Sequence, residues 1–128
     1  MNCAGVNAGN RTLFPVGIIE PKVISAGPYY SCLVDKQGVK CWGTDSSGET
    51  IPPVLINPVT IATGYAHTCT IDDDGVKCWG SNSNGQTDVP PNLSNPKAVI
   101  AGYYHTCAVD DDGLHCWGSS SSGQTNVP

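Results

Sequence analysis

Six of the seven cysteines fall into three pairs of one spacing: Cys32/Cys41, Cys69/Cys78 and Cys107/Cys116 each stand nine residues apart. Thiols so placed can close a disulfide or hold a metal ion, and the two chemistries favour different intervals. Structural zinc sites keep roughly two to four residues between paired cysteines, whereas eight intervene here, so the spacing favours disulfides. Between Cys69 and Cys78 the turn Asp72 to Gly75 lies midway, which sets Ile71 opposite Val76 and Cys69 opposite Cys78 across a hairpin. Directly opposed residues hold their Cα atoms about 4.5 to 5.5 Å apart, within reach of a disulfide. Three intrahairpin disulfides are expected, each worth about 2.7 kcal/mol in the chain-entropy account of a ten-residue loop. Cys3 has no partner at this spacing and reads as a free thiol, an intermolecular link or a sign of missing upstream sequence.

Other side chains with chemical potential carry weaker patterns. Asp72-Asp73-Asp74-Gly75 and Asp110-Asp111-Asp112-Gly113 bring carboxylates together, but an EF-type calcium loop alternates its ligands and ends in Glu, so solvated hairpin turns are expected. His67 and His105 precede Thr-Cys, and Tyr30 takes their place in the first copy, so a metal site built on this position would lack its third histidine, and a structural hydrogen-bonding role is the favoured reading of the two histidines. No nucleophile, base and orienting acid recur together, and no cofactor, metal or catalytic residue is expected. The segments Pro28-Tyr29-Tyr30, Tyr65-Ala66-His67 and Tyr103-Tyr104-His105 hold all five tyrosines. Tyrosine joins a large contact area and a polar tip to few rotors, which suits a binding surface. Tyr29, Tyr30, Tyr65, His67, Tyr103, Tyr104 and His105 are therefore the candidate partner-binding residues, with space-filling between blades as the competing role of the tyrosines.

These residues recur because the chain repeats. Cys41-Trp42-Gly43, Cys78-Trp79-Gly80 and Cys116-Trp117-Gly118 return at intervals of 37 and 38 residues, and Gly27, Gly64 and Gly102 stand five residues before the first cysteine of each pair. Each copy closes with a Ser/Asn-rich loop and Gly48-Glu49-Thr50, Gly85-Gln86-Thr87 or Gly123-Gln124-Thr125, followed by Pro52, Pro90 or Pro128. Placing Cys3-Ala4-Gly5 on Cys41-Trp42-Gly43 brings Thr12 onto Thr50, so residues 1–22 read as the second half of a copy. Full copies then cover 23–58, 59–96 and 97–128. Short alternating runs separated by glycine turns predict three or four strands per copy. Trp42, Trp79 and Trp117 are expected to pack against the next copy.

The combination Gly-x-x-His-Thr-Cys, an Asp-Asp-Gly hairpin, Cys-Trp-Gly and Gly-Gln-Thr-x-Val-Pro resembles the regulator of chromosome condensation repeat, and also the repeats of type II β-lactamase-inhibitor proteins. The resemblance implies a β-propeller in which each copy supplies a blade. The expected fold is all-β, a partial β-propeller of about three and a half disulfide-stapled antiparallel blades. In the inhibitor family, aromatic loops on one propeller face contact the target, which adds analogy to the case for the tyrosines. Nucleotide exchange on a small GTPase, the activity of the family's namesake, transfers poorly to a short, acidic array.

Composition narrows the partners. A net charge of -5 with only 13% charged residues argues against a grip on phosphate backbones, so no nucleic acid is expected. No apolar run is long enough for a membrane helix, and the N-terminus lacks the layout of a secretory signal. The cysteine pairs point to a secreted or extracellular setting, the periplasm included, where Asn10 and Asn92 match the glycosylation acceptor pattern. The expected function is a non-catalytic extracellular module binding a protein partner through its aromatic loop face. The alternatives are a structural subunit that self-associates through blade edges, and a lectin whose glycan stacks on the tyrosines and bonds to the Ser/Asn loops.

Overall fold

The structure, a computed structural model, describes residues 17–121 and 123–128; Cys3, Asn10 and most of the leading half-copy lie outside them. Among the described residues nine strands form three separate antiparallel sheets: β1 (Val23–Ala26), β2 (Tyr30–Asp35) and β3 (Gly38–Gly43); β4 (Ala62–Thr63), β5 (His67–Asp72) and β6 (Gly75–Gly80); β7 (Ala98–Ala101), β8 (His105–Asp110) and β9 (Gly113–Gly118). Each sheet is one blade, with its middle strand paired on both sides.

The central hairpin of every blade has the register the cysteine spacing predicts. Cys32 faces Cys41, Cys69 faces Cys78 and Cys107 faces Cys116. All three pairs are disulfide-bonded with Cα atoms 4.1 Å apart, closer than expected. The pairing runs to the turn, where Asp72 opposes Gly75, so the connection is tighter than the four-residue loop the sequence suggests. Gly75 closes it at φ 113°, a backbone conformation that side chains disfavour, although the space around it is open.

One aspartate holds each hairpin end together. Asp35 accepts the amides of Ile19 (3.0 Å) and Gln37 (2.8 Å) and pairs with Lys40 at 2.9 Å. Asp72 does the same with Ile56, Asp74 and Lys77, and Asp110 with Ser94, Asp112 and, in place of lysine, His115. Burial acts to raise the Asp35 carboxyl, but these amides and the ammonium outweigh it and hold it at about 2. Asp72 is lowered against the same burial, and Asp110 is lowered chiefly by the Ser94 amide. The leading aspartate of each Asp-Asp-Asp run is thus engaged in fixing the turn.

Blades meet through apolar and polar contacts that repeat from junction to junction. Tyr30, Cys32 and Val34 of blade 1 form one cluster with Ile61 and Trp79 of blade 2. A second cluster joins Ala62, Cys69 and Ile71 of blade 2 to Val99 of blade 3. Trp79 therefore packs against the preceding blade, not the following one as expected. It lies opposite Thr68, on the other face of the sheet from the Cys69 and Ile71 side chains that meet blade 3, and there the indole donates to the Glu49 carbonyl at 2.9 Å. Trp117 repeats the bond to the Gln86 carbonyl at 3.0 Å. Where β4 and β7 converge, a Cβ on Gly64 would sit 2.4 Å from the Gly102 carbonyl and 2.3 Å from the His67 ring, so the repeated glycine is a condition of close blade contact.

Candidate functional site

The residue that opens each middle strand is structural. Tyr30 is fully buried, its hydroxyl donating to the His67 carbonyl of the next blade. Thr68 Oγ1 lies 3.0 Å from that hydroxyl and donates to the Glu49 carbonyl at 2.7 Å. His67 takes the equivalent place one blade on, also fully buried, with Nε2 3.0 Å from Thr106 Oγ1. Thr106 in turn donates to the Gln86 carbonyl at 2.7 Å. Burial pulls the His67 imidazole down to about 4, so it is neutral at physiological pH. Tyr30 and His67, named among the partner-binding candidates, are interior bolts between blades, and His67 takes the structural hydrogen-bonding role that was its competing reading. The signal was available in the sequence, because both share the period-two face of Cys32 and Val34, or of Cys69 and Ile71. His105 holds the same strand position in blade 3 and is half-buried.

The tyrosines just before this position lie elsewhere. Tyr29, Tyr103 and Tyr104 are exposed, and Tyr65 is half-buried among them. The Tyr65 ring centroid lies 5.3 Å from those of both Tyr29 and Tyr103 and 5.7 Å from that of Tyr104, while Tyr103 and Tyr104 stand 6.2 Å apart. These separations suit edge-to-face and tilted ring contacts, so the four rings form one aromatic cluster drawn from three blades. Their hydroxyls interact too: the Tyr65 phenol is raised above its ordinary range, first by its hydrogen bond with Tyr29.

The Ser/Asn loops share this end of the blades. The amides of Thr44, Ser81 and Ser119, each just after a Trp-Gly, donate to the carbonyls of Tyr29, Ala66 and Tyr104. Within the loops, Asp45 caps the Thr50 amide and Asn82 caps that of Thr87. These bonds fix the turns beside the tyrosines. A cleft of about 220 Å³ opens between Tyr29 and Tyr65, lined also by Thr44, Ser46, Glu49 and Ala66. Glu49 was not singled out by sequence reasoning, because the Gly-Glu-Thr segment reads only as the end of a copy. Lys40, Lys77 and Lys97 pair with aspartates at the opposite, hairpin end.

Stapled three-stranded blades, bolted to one another through recurring side chains and displaying their variable aromatic loops at one end, define a blade-repeat protein of the β-propeller type. Residues 59–86 and 97–124 match the Regulator of chromosome condensation (RCC1) repeat. No curated protein matches the chain. Among solved structures, it is similar to the ectodomain of the receptor kinase CR4 from Physcomitrella patens, with 25% identity and a TM-score of 0.67 over 82% of this chain and 32% of that one. It is similar also to the CRINKLY WD40 ectodomain of the Arabidopsis thaliana receptor kinase ACR4, with 27% identity and a TM-score of 0.65 over 81% of this chain and 38% of that one. Prp20p from Saccharomyces cerevisiae, whose binding to Gsp1p and histones has been examined, shares the fold at 19% identity and a TM-score of 0.68, over 82% of this chain and 32% of that one. The chain thus spans 32 to 38% of the length of these structures.

Proposed function

We propose that this chain is an extracellular binding module whose tyrosine cluster receives a protein partner. The carrying observation is the contiguous group Tyr29, Tyr65, Tyr103 and Tyr104, three of them exposed, gathered at one end by loops from three blades. Exposed aromatic residues held by a stiff scaffold gain contact area at little entropic cost, which is the pattern of energetically dominant interface residues. Three disulfides and the likeness to two receptor ectodomains support an extracellular setting. A variant with all four tyrosines changed to alanine tests the reading. A partner captured by the wild type and confirmed by titration with purified components should bind the variant at least a hundredfold more weakly. Unchanged affinity in a folded variant would reject it.

A second reading, self-association through blade edges, is favoured by one observation. Ile100, Val109 and Leu114 on the outer face of blade 3 are exposed, whereas Ala62, Ile71 and Val76 at the same places in blade 2 are covered or half-covered. Native mass spectrometry decides it: oligomers that dissociate on Val109→Asp support it, and a monomer at every concentration rejects it.

A further inference from the structure

The cleft between Tyr29 and Tyr65 has a wall that the aromatic cluster alone does not explain. Glu49 is 1% exposed, one carboxylate oxygen accepts the Ser47 amide at 2.7 Å, and no lysine, arginine or histidine forms an ion pair with it among the described residues. A carboxylate withdrawn from water normally has a cation to balance it, as Asp35 and Asp72 do at the other end of their blades. Its charge also reaches the neighbouring Tyr30, whose phenol is raised first by burial and further by Glu49. The described lysines give it no relief. Lys22 and Lys36 are tied by their amides to the hairpin end, and Lys40, Lys77 and Lys97 carry their ammonium groups to aspartates there.

We infer that the cleft between Tyr29 and Tyr65 receives one cationic side chain, the guanidinium of an arginine or the ammonium of a lysine on the protein partner, with Glu49 as its counter-charge. This rests on the tyrosine-face reading above and adds the chemistry of one contact within it. Tyrosine rings beside such a cleft attract a cation through their negative faces, an attraction that strengthens when water is displaced. A carboxylate behind the cleft wall acts through a low dielectric, where a charge is felt more strongly than at an open surface. The volume of about 220 Å³ suits one head group and its stem, and is smaller than the roughly 300–1,000 Å³ typical of drug-sized ligand pockets. At the matching position of the next copy stands Gln86, buried and accepting the Asn84 amide at 2.8 Å as Glu49 accepts that of Ser47. The turn is thus built equally well with an amide, and the charge at position 49 is surplus to the fold.

That equivalence supplies the test. Glu49→Gln keeps the turn bond and leaves untouched the Glu49 carbonyl that holds Trp79 and Thr68, so the variant should melt within a few degrees of the wild type. The probes are acetyl-arginine-amide, acetyl-lysine-amide and acetyl-citrulline-amide, the last an uncharged near-isostere of the first, titrated while the ring resonances of Tyr29 and Tyr65 are followed by NMR. The two cationic probes should move these resonances saturably, citrulline should bind at least fivefold more weakly than arginine, and Glu49→Gln should weaken arginine by about fivefold to tenfold. Equal binding of citrulline and arginine, an unchanged affinity in Glu49→Gln, or no saturable shift with any probe would overturn the inference. The broader reading fails separately: it falls if the four-tyrosine variant still captures the partner, and it stands if that variant loses the partner while Glu49→Gln has no effect.

Discussion

Blades 2 and 3 are nearly the same piece of chain in different surroundings. Their middle strands read His-Thr-Cys-Thr-Ile-Asp and His-Thr-Cys-Ala-Val-Asp, their hairpins share one register, and each carries a disulfide of the same span. Yet Ile71 is 6% exposed and its counterpart Val109 is 42% exposed. The difference lies wholly in what packs alongside: blade 2 has a described blade on each side, whereas the outer face of blade 3 lies open among the described residues. Local sequence builds the blade, and the neighbour decides what that blade's apolar residues are worth.

Four experiments press on this contrast. Removing a staple should have the largest effect. Cys69→Ala with Cys78→Ala should cost about 2 to 5 kcal/mol of unfolding free energy in denaturant titrations. The same change at Cys107 and Cys116 should cost less, because the loops are equal in length but Cys69 lies in a packed junction. Equal losses would mean that loop entropy alone is at work and the neighbour contributes nothing. Next, Ile71→Ala should cost about 3 kcal/mol, as large-to-small changes in cores do, and Val109→Ala less than about 1.

The third experiment uses pH. His67 is neutral when folded down to about pH 4, whereas an ordinary imidazole protonates near 6.5. Between those values the unfolded chain binds a proton that the folded chain does not, so stability is full above pH 6.5 and falls as pH drops towards 4, by on the order of 3 kcal/mol. His67→Tyr, which installs the residue blade 1 uses at this place, should flatten that slope in thermal melts across pH 4 to 7. An undiminished slope would assign the effect elsewhere. The smallest change is expected from His115→Lys, which gives blade 3 the Lys-Asp pair of the other two blades. A partly exposed pair of this kind should shift stability by less than about 1 kcal/mol.

Much of the fold could be read from residue spacing, because the repeat multiplies weak signals. Three cysteine pairs, each centred on a glycine-ending turn, allow only one sensible hairpin register, and the disulfides follow from it. The side on which adjacent aromatic residues fall was harder to see. Tyr29 and Tyr30 are neighbours in sequence, but Tyr30 starts a strand and points into the junction with blade 2, while Tyr29 remains in the loop and is exposed. Composition treats them alike; only strand phase separates them. The partners of Trp79 and Trp117 left no trace in the sequence, since a backbone carbonyl accepts their indoles and every residue has one. Glu49 was passed over for a related reason: its importance comes from having no cation paired with it among the described residues, which no spacing reveals.

The double use of the carbonyls at positions 49 and 86 has a consequence for how such a chain can change over time. Each takes an indole and a threonine hydroxyl from the following blade, so the joint between copies is made by main-chain atoms that mutation cannot alter directly. The side chain on the same residue is thereby released from holding the joint and can drift between acid and amide, as Glu49 and Gln86 show. An ancestral copy could be duplicated with its joint intact, and each descendant could then acquire its own charge beside the tyrosines without the array coming apart.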